Sequence, residues 1–163
     1  MDSPMIVEVG MAEMKMSDSP HVLVTRGLGS CIGIAMYDPI KKIGGLAHAM
    51  LPCFATAKLK SNPAKFVDSV IPMMIEEFKK KGTVLRNLKA KIFGGAHMFS
   101  SIPVNSPFNI GVKNIKAAHA LLDNSSIKII AEDTGGNYGR TIFFDLETGK
   151  VKVKTIFFGE KEL

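Results

Sequence analysis

Short apolar runs bounded by turn residues alternate along the chain with two stretches in which apolar residues recur every three or four positions. The short runs predict strands. A first lies within residues 4–12, opened by Met5-Ile6-Val7; a second covers 21–25, a third 31–38 and a fourth 43–50. Residues 14–20 are polar and turn-rich and read as a connection. Further strands are predicted over 90–93, 128–132, 140–146 and 151–158, the last two joined by the short connection Glu147-Thr148-Gly149. The first periodic stretch carries Phe66, Val67, Val70, Ile71, Met74, Ile75 and Phe78 on one face and predicts a helix over residues 63–81. Asn62 caps it, Pro63 takes the first helical position, and Gly82 follows Lys79-Lys80-Lys81 at the end. Pro72 lacks an N–H and predicts a bend near the middle. Asn109 caps a second helix whose buried stripe is Val112, Ile115, Ala118 and Leu122, after a loop over 97–108.

No repeat, low-complexity tract or linker interrupts this order, so one domain is expected over residues 1–163. Helices packed on sheet make it an α/β (α+β) fold. An apolar fraction of 46% against a charged fraction of 22% suits a globular core. No leader pattern or membrane-length apolar run is seen, and two cysteines rule out a disulfide framework, so a cytoplasmic setting is expected. The net charge of +6 is dispersed over many lysines with no aromatic platform between them. This argues against nucleic acid and leaves an acidic protein partner open.

The third and fourth strands carry the candidate chemistry. A four-residue loop after Asp38 sets Asp38 against Ile43, Gly33 against His48 and Cys31 against Met50. Cys31 and His48 then share a face as diagonal neighbours, roughly 7–8 Å apart at the backbone. Glycine at 33 leaves room for the ring. An imidazole can activate a thiol whose free pKa is about 8.5 and later protonate a leaving amine. The loop containing Gly27, Gly29 and Ser30 permits tight turns that aim N–H groups, that of Cys31 included, at an oxyanion. Thr25 can orient the ring through its hydroxyl. These parts suit acyl transfer through a thioester, with a depressed thiol pKa that should make Cys31 label faster than Cys53. The residues alone favour the plainer reading, a buried structural cysteine and a satisfied core histidine.

The run L-G-S-C-I-G-I-A-M-Y-D-P, followed by G-G-L-A-H-A-M-L-P, resembles the signature of the CheD family of chemoreceptor glutamine deamidases. The resemblance continues through Gly94-Gly95-Ala96 with Met98-Phe99, Asn109-Ile110-Gly111 with Asn114, the block from Ala131 to Asn137, Gly139-Arg140 and Thr148-Gly149. It implies Cys31 as nucleophile, His48 as base and Thr25 as third member of the triad; the loop support from Gly29 and Ser30 is read from the residues themselves. It also implies hydrolysis of glutamine side-chain amides on methyl-accepting chemotaxis receptors, no cofactor, and docking of a CheC-type phosphatase. The implied fold is a single-domain sandwich of mixed or antiparallel β-sheet with two main helices, like the catalytic domain of deamidating toxins. A mainly regulatory module acting on the CheC-type phosphatase is the alternative.

Other residues invite weaker readings. Cys53 is taken as incidental rather than as a resolving thiol, and His97 is given no role. His21, His97 and His119 have no metal-ligand spacing, so no metal is expected. The run 133–137 is a turn shaping one wall of the site rather than a phosphate loop. Ile102-Pro103-Val104 with Phe108 is either a partner surface or a loop packed by its own side chains.

Overall fold

The computed structural model describes residues 3–57 and 62–163; Lys58 and Lys60 of the dispersed lysines lie outside the described residues. The strands are β1 (Ile6–Glu8), β2 (Met14–Asp18), β3 (Val22–Leu28), β4 (Ile32–Asp38), β5 (Ile43–Ala49), β6 (Lys89–Gly94), β7 (Lys128–Thr134), β8 (Arg140–Asp145), β9 (Val151–Thr155) and β10 (Gly159–Glu162). The helices are α1 (Val67–Lys80) and α2 (Ile110–Asn124). One sheet runs β1-β3-β8-β9-β10 and the other β2-β5-β4-β6-β7. Both are mixed: β1 lies parallel to β3 and β6 to β7, whereas the remaining neighbours are antiparallel. The expected sandwich of mixed sheets with two helices is the fold.

Alternation along β4 and β5 builds two cores from one sheet. Ile32, Ile34, Met36, Ala47 and Ala49 face α1 and α2, meeting Val70, Ile71, Met74, Phe78, Ala118 and Leu122. Cys31, Ala35 and Leu46 face the other sheet, meeting Leu23, Leu28, Ile142 and Phe144. Full burial of one such large side chain stabilises by about 1.5–3 kcal/mol. The hairpin register agrees with the sequence reading: Asp38 pairs with Ile43 and Gly33 with His48. The Asp38 carboxylate fixes the turn, accepting from Ile40 N at 2.9 Å, Lys41 N at 3.1 Å and Thr83 Oγ1 at 2.8 Å.

Several expectations change. Residues 14–18 are an edge strand, because Met14 and Met16 alternate with polar positions and pair along β5. The second strand continues past Thr25 to Leu28 through a bulge. The final strand is two, since a turn at 156–158 reverses the chain into β10. The first helix bends at Phe66, not at Pro72: Asn62 caps a 3-10 turn, Pro63–Lys65, and Phe66 is extended before α1 begins. Pro72 is exposed and α1 runs through it. On α2, Gly111 and Asn114 are buried with Ala118 and Leu122, while Val112 and Ile115 are only half-buried.

Candidate functional site

The chain crosses from one sheet to the other between Leu28 and Ile32, and Cys31 sits on that crossing. The bulge between Thr25 and Leu28, with Gly27 at φ +70°, turns both of those side chains inward. Leu28 then fills the room opposite His48. A Cβ on Gly33 would lie 2.9 Å from Leu28 Cδ1 and 3.1 Å from Ile142 Cδ1. The glycine therefore admits the neighbouring sheet, not the imidazole as the hairpin alone suggested.

Thr25 and His48 meet in the interior, 0% and 1% exposed. Thr25 Oγ1 lies 2.7 Å from His48 Nδ1 and 2.7 Å from the Val9 carbonyl oxygen. The carbonyl can only accept, so the single hydroxyl proton goes to Val9. The hydroxyl must then accept from the ring, which puts the imidazole proton on Nδ1 and a lone pair on Nε2. Nε2 is buried and has no hydrogen-bond partner among the described residues, Cys31 Sγ included. Burial holds the His48 imidazole below its usual range. The backbone of His48 is also fixed, its N–H donating to Glu13 O at 3.0 Å and its carbonyl accepting from Ala12 N at 2.9 Å.

Cys31 is 9% exposed. Burial pushes its thiol up, opposed in part by its own backbone N–H. This runs against the expected depression: burial favours a neutral thiol at Cys31 and likewise a neutral imidazole at His48. The Gly29 N–H is turned to Gly27 O at 3.1 Å, while among the described residues the N–H groups of Ser30 and Cys31 donate to no other residue. The opposite edge of this loop is anchored, with Ala96 N on Gly29 O and Gly95 N on Cys31 O, both at 2.8 Å. Cys31 thus offers a neutral thiol, and backbone N–H groups that donate to no other described residue, on the sheet face that also carries the His48 lone pair, parts that suit attack on an acyl carbon.

The segment 133–137 abuts residues 94–97, which carry these anchoring N–H groups: Gly135 N donates to Gly94 O at 2.9 Å and Gly136 O accepts from His97 N at 2.8 Å. Cys53 lies apart, in a pocket of about 320 Å³ with Leu51, Pro52, Thr56 and Phe66. Among the described residues no three His, Cys, Asp or Glu side chains converge as a metal site would need. A surface groove of about 720 Å³ lies between α2 and β7 and includes none of Thr25, Cys31 and His48. Val104 and Phe108 are exposed, so the 97–108 loop is not packed by its own side chains there. Sequence reasoning missed Val9, whose carbonyl decides the tautomer and gives no side-chain signal. It also gave Asn114 no role, although a polar residue at a core position of a helix was a readable sign.

A family model described as CheD chemotactic sensory transduction matches residues 50–155. A probable chemoreceptor glutamine deamidase CheD of Clostridium kluyveri is 47% identical over 157 residues, covering 96% of this chain and 97% of that one. Relatives of the same description from Clostridium novyi and Syntrophomonas wolfei are each 49% identical, over 94% of both chains and over 96% and 97% respectively. Among solved structures, the Bacillus licheniformis hypothetical protein YfiH is similar with a TM-score of 0.45 and 18% identity, over 73% of this chain and 49% of that one. The chain belongs to the CheD family. The family match begins beyond His48, whereas the span shared with the Clostridium kluyveri relative includes the stretch from Thr25 to His48.

Proposed function

We propose that this protein is a cysteine-dependent protein-glutamine deamidase, hydrolysing glutamine side-chain amides of methyl-accepting chemotaxis receptors to glutamate and ammonia. The relatives named as chemoreceptor glutamine deamidases support the reaction and the substrate class. The observation that carries the residue roles is the chain His48 Nδ1–H to Thr25 Oγ1 to Val9 O, which leaves Nε2 as an unengaged base.

Cys31 Sγ attacks the carboxamide carbon while its proton passes to His48 Nε2. The C–S bond forms, and the carbonyl π pair moves to oxygen, where the N–H groups of Ser30 and Cys31 stabilise it. Collapse of this intermediate breaks the C–N bond, and His48 returns the proton so that neutral ammonia departs. Water, deprotonated by His48, then attacks the thioester; the C–S bond breaks, sulfur regains a proton and a glutamate carboxyl is released. Thr25 keeps the lone pair on Nε2 throughout, and Gly29 supports the loop. A purely regulatory module for a CheC-type phosphatase would have no use for an imidazole held in one tautomer by two buried hydrogen bonds.

The test is mass spectrometry of receptor peptides incubated with wild-type protein and with Cys31→Ala. Wild type is expected to convert specific glutamines to glutamate, and Cys31→Ala to leave them unchanged. Conversion at the wild-type rate by a folded Cys31→Ala variant would overturn the mechanism.

A further inference from the structure

We propose that Asn114 is a positioning residue that sets the separation of Cys31 and His48. This rests on the reading of those two residues as nucleophile and base. The buried stripe of α2 is Gly111, Asn114, Ala118 and Leu122, so a fully buried carboxamide occupies an otherwise apolar row. Its Nδ2 donates to Ser30 O at 2.9 Å and to Met50 O at 3.0 Å. Ser30 immediately precedes Cys31, and Met50 lies two residues beyond His48. One side chain thus joins the nucleophile's loop to the end of the strand that carries the base.

The orientation of the amide is forced. Two backbone carbonyls can only accept, so the NH₂ group must face both and Oδ1 must turn away. Oδ1 is buried without a partner among the described residues. A residue needed only to fill the stripe would be apolar and would leave no acceptor unpaired. The surrounding glycines let the amide reach this far. A Cβ on Gly111 would stand 2.4 Å from Ala96 O, and one on Gly95, at φ +67°, would stand 2.4 Å from Ile115 Cγ1. α2 is thereby seated against the 94–96 strap. Three successive carbonyls of the nucleophile loop are then held: Gly29 O by Ala96 N, Ser30 O by Asn114 Nδ2, and Cys31 O by Gly95 N. Of these three bonds, the one to Ser30 comes from a group that also holds the His48 strand. Loosening it frees the thiol's position relative to Nε2 without touching either group.

The test is a cycle of variants read by alkylation of Cys31 with iodoacetamide, followed on the mass of its own peptide so that Cys53 does not interfere. No receptor is needed, so the result is independent of whether the chain deamidates receptors. With Asn114 present, His48→Ala is expected to slow alkylation roughly tenfold. In an Asn114→Ala background the same change is expected to alter it less than about twofold. In the deamidation assay, Asn114→Ala should lower kcat by about 10- to 100-fold with KM within about threefold, because misplacement of the attacking atom affects the chemical step. Asn114→Ser keeps one donor and should fall between the two, and it carries the test if Asn114→Ala does not fold. An equal His48 effect in both backgrounds, a higher KM at unchanged kcat, or wild-type behaviour of Asn114→Ser would overturn the proposal. Absence of any His48 effect with Asn114 present would remove the base itself, and the clamp with it.

Discussion

Two buried polar clusters in this molecule are finished in opposite ways. Around Arg140, whose side chain is 0% exposed, every donor group finds a partner. Nε reaches Asp133 Oδ2 at 3.2 Å, one terminal nitrogen reaches Gly135 O at 2.9 Å, and the other reaches Tyr138 Oη at 3.3 Å. The guanidinium also lies 4.4 Å from the centre of the Tyr138 ring, and Lys161 Nζ meets the other Asp133 oxygen at 3.0 Å. Around His48 the chain of bonds from Val9 through Thr25 stops at Nε2, which is buried without a hydrogen-bond partner among the described residues. An unsatisfied buried polar atom is costly, so a fold retains one where something else completes it. The closed cluster is satisfied within the fold, and the open one leaves the lone pair that the proposed deamidation would use.

The largest contrast is in stability. Arg140→Met removes the cation and leaves the Asp133 carboxylate enclosed with Lys161 alone, which should cost about 3 kcal/mol because a buried charge loses one of its two partners. Lys161 remains and keeps the loss toward the low end of that class. Cys31→Ala should leave the unfolding midpoint near that of wild type, since Cys31 Sγ is not tied into a comparable network. Urea unfolding of the two variants side by side checks this. Equal midpoints for Arg140→Met and wild type would erase the distinction between the clusters.

Thr25→Val comes next. The isosteric change deletes the hydroxyl that accepts from Nδ1–H, so the ring no longer has a reason to keep its lone pair on Nε2. A loss of about 10- to 100-fold in kcat is expected, below the about 10²–10⁴-fold that a general base contributes outright, because the ring stays and only its tautomer is released, with Thr25→Ser restoring most of it. The deamidation rate under saturating substrate is the measurement. A Thr25→Val enzyme as fast as wild type would mean that the Nδ1 bond does not serve the reaction.

What was legible in the sequence divides along the range of the interaction. Asp38-Pro39 and strand alternation are local, and they placed His48 opposite Gly33 correctly. The purpose of Gly33 was not legible, because it depends on Leu28 arriving from the other sheet through a bulge at Gly27. Thr25 was visible as a hydroxyl near the loop, yet its proton's direction depends on Val9, sixteen residues away. Asn114 bonds carbonyls 84 and 64 residues distant, so no window of sequence contains its role. β10 was hidden because Ile156, Phe157 and Phe158 continue an apolar run straight through a turn; they are 93%, 78% and 70% exposed. The thiol's raised pKa belongs with these cases, since burial between sheets outweighs what a neighbouring imidazole suggests on paper.

The smallest effect separates the clusters by pH. Burial lowers the His48 pKa, so the folded protein takes up that proton less readily than the unfolded chain, whose imidazole titrates near about 6.5. Neutral His48 therefore contributes stability that is present above about 6.5 and is lost as pH falls from there through the folded value. Burial pushes the Asp133 carboxyl up, but hydrogen bonds from Lys161 and Arg140 outweigh it and leave the carboxyl below its usual range. Its contribution is present above the unfolded value of about 3.9 and is lost only as pH falls below that. Activity should follow His48 alone: the base works while neutral, so the acid limb of kcat/KM should fall below about pH 6.5. The profile of kcat/KM and the urea midpoint, measured over the same pH series, give both readings. An acid limb at or above the ordinary imidazole value would mean that the ring is stabilised as a cation, and the open cluster would then be an ion pair rather than a neutral base beside a neutral thiol.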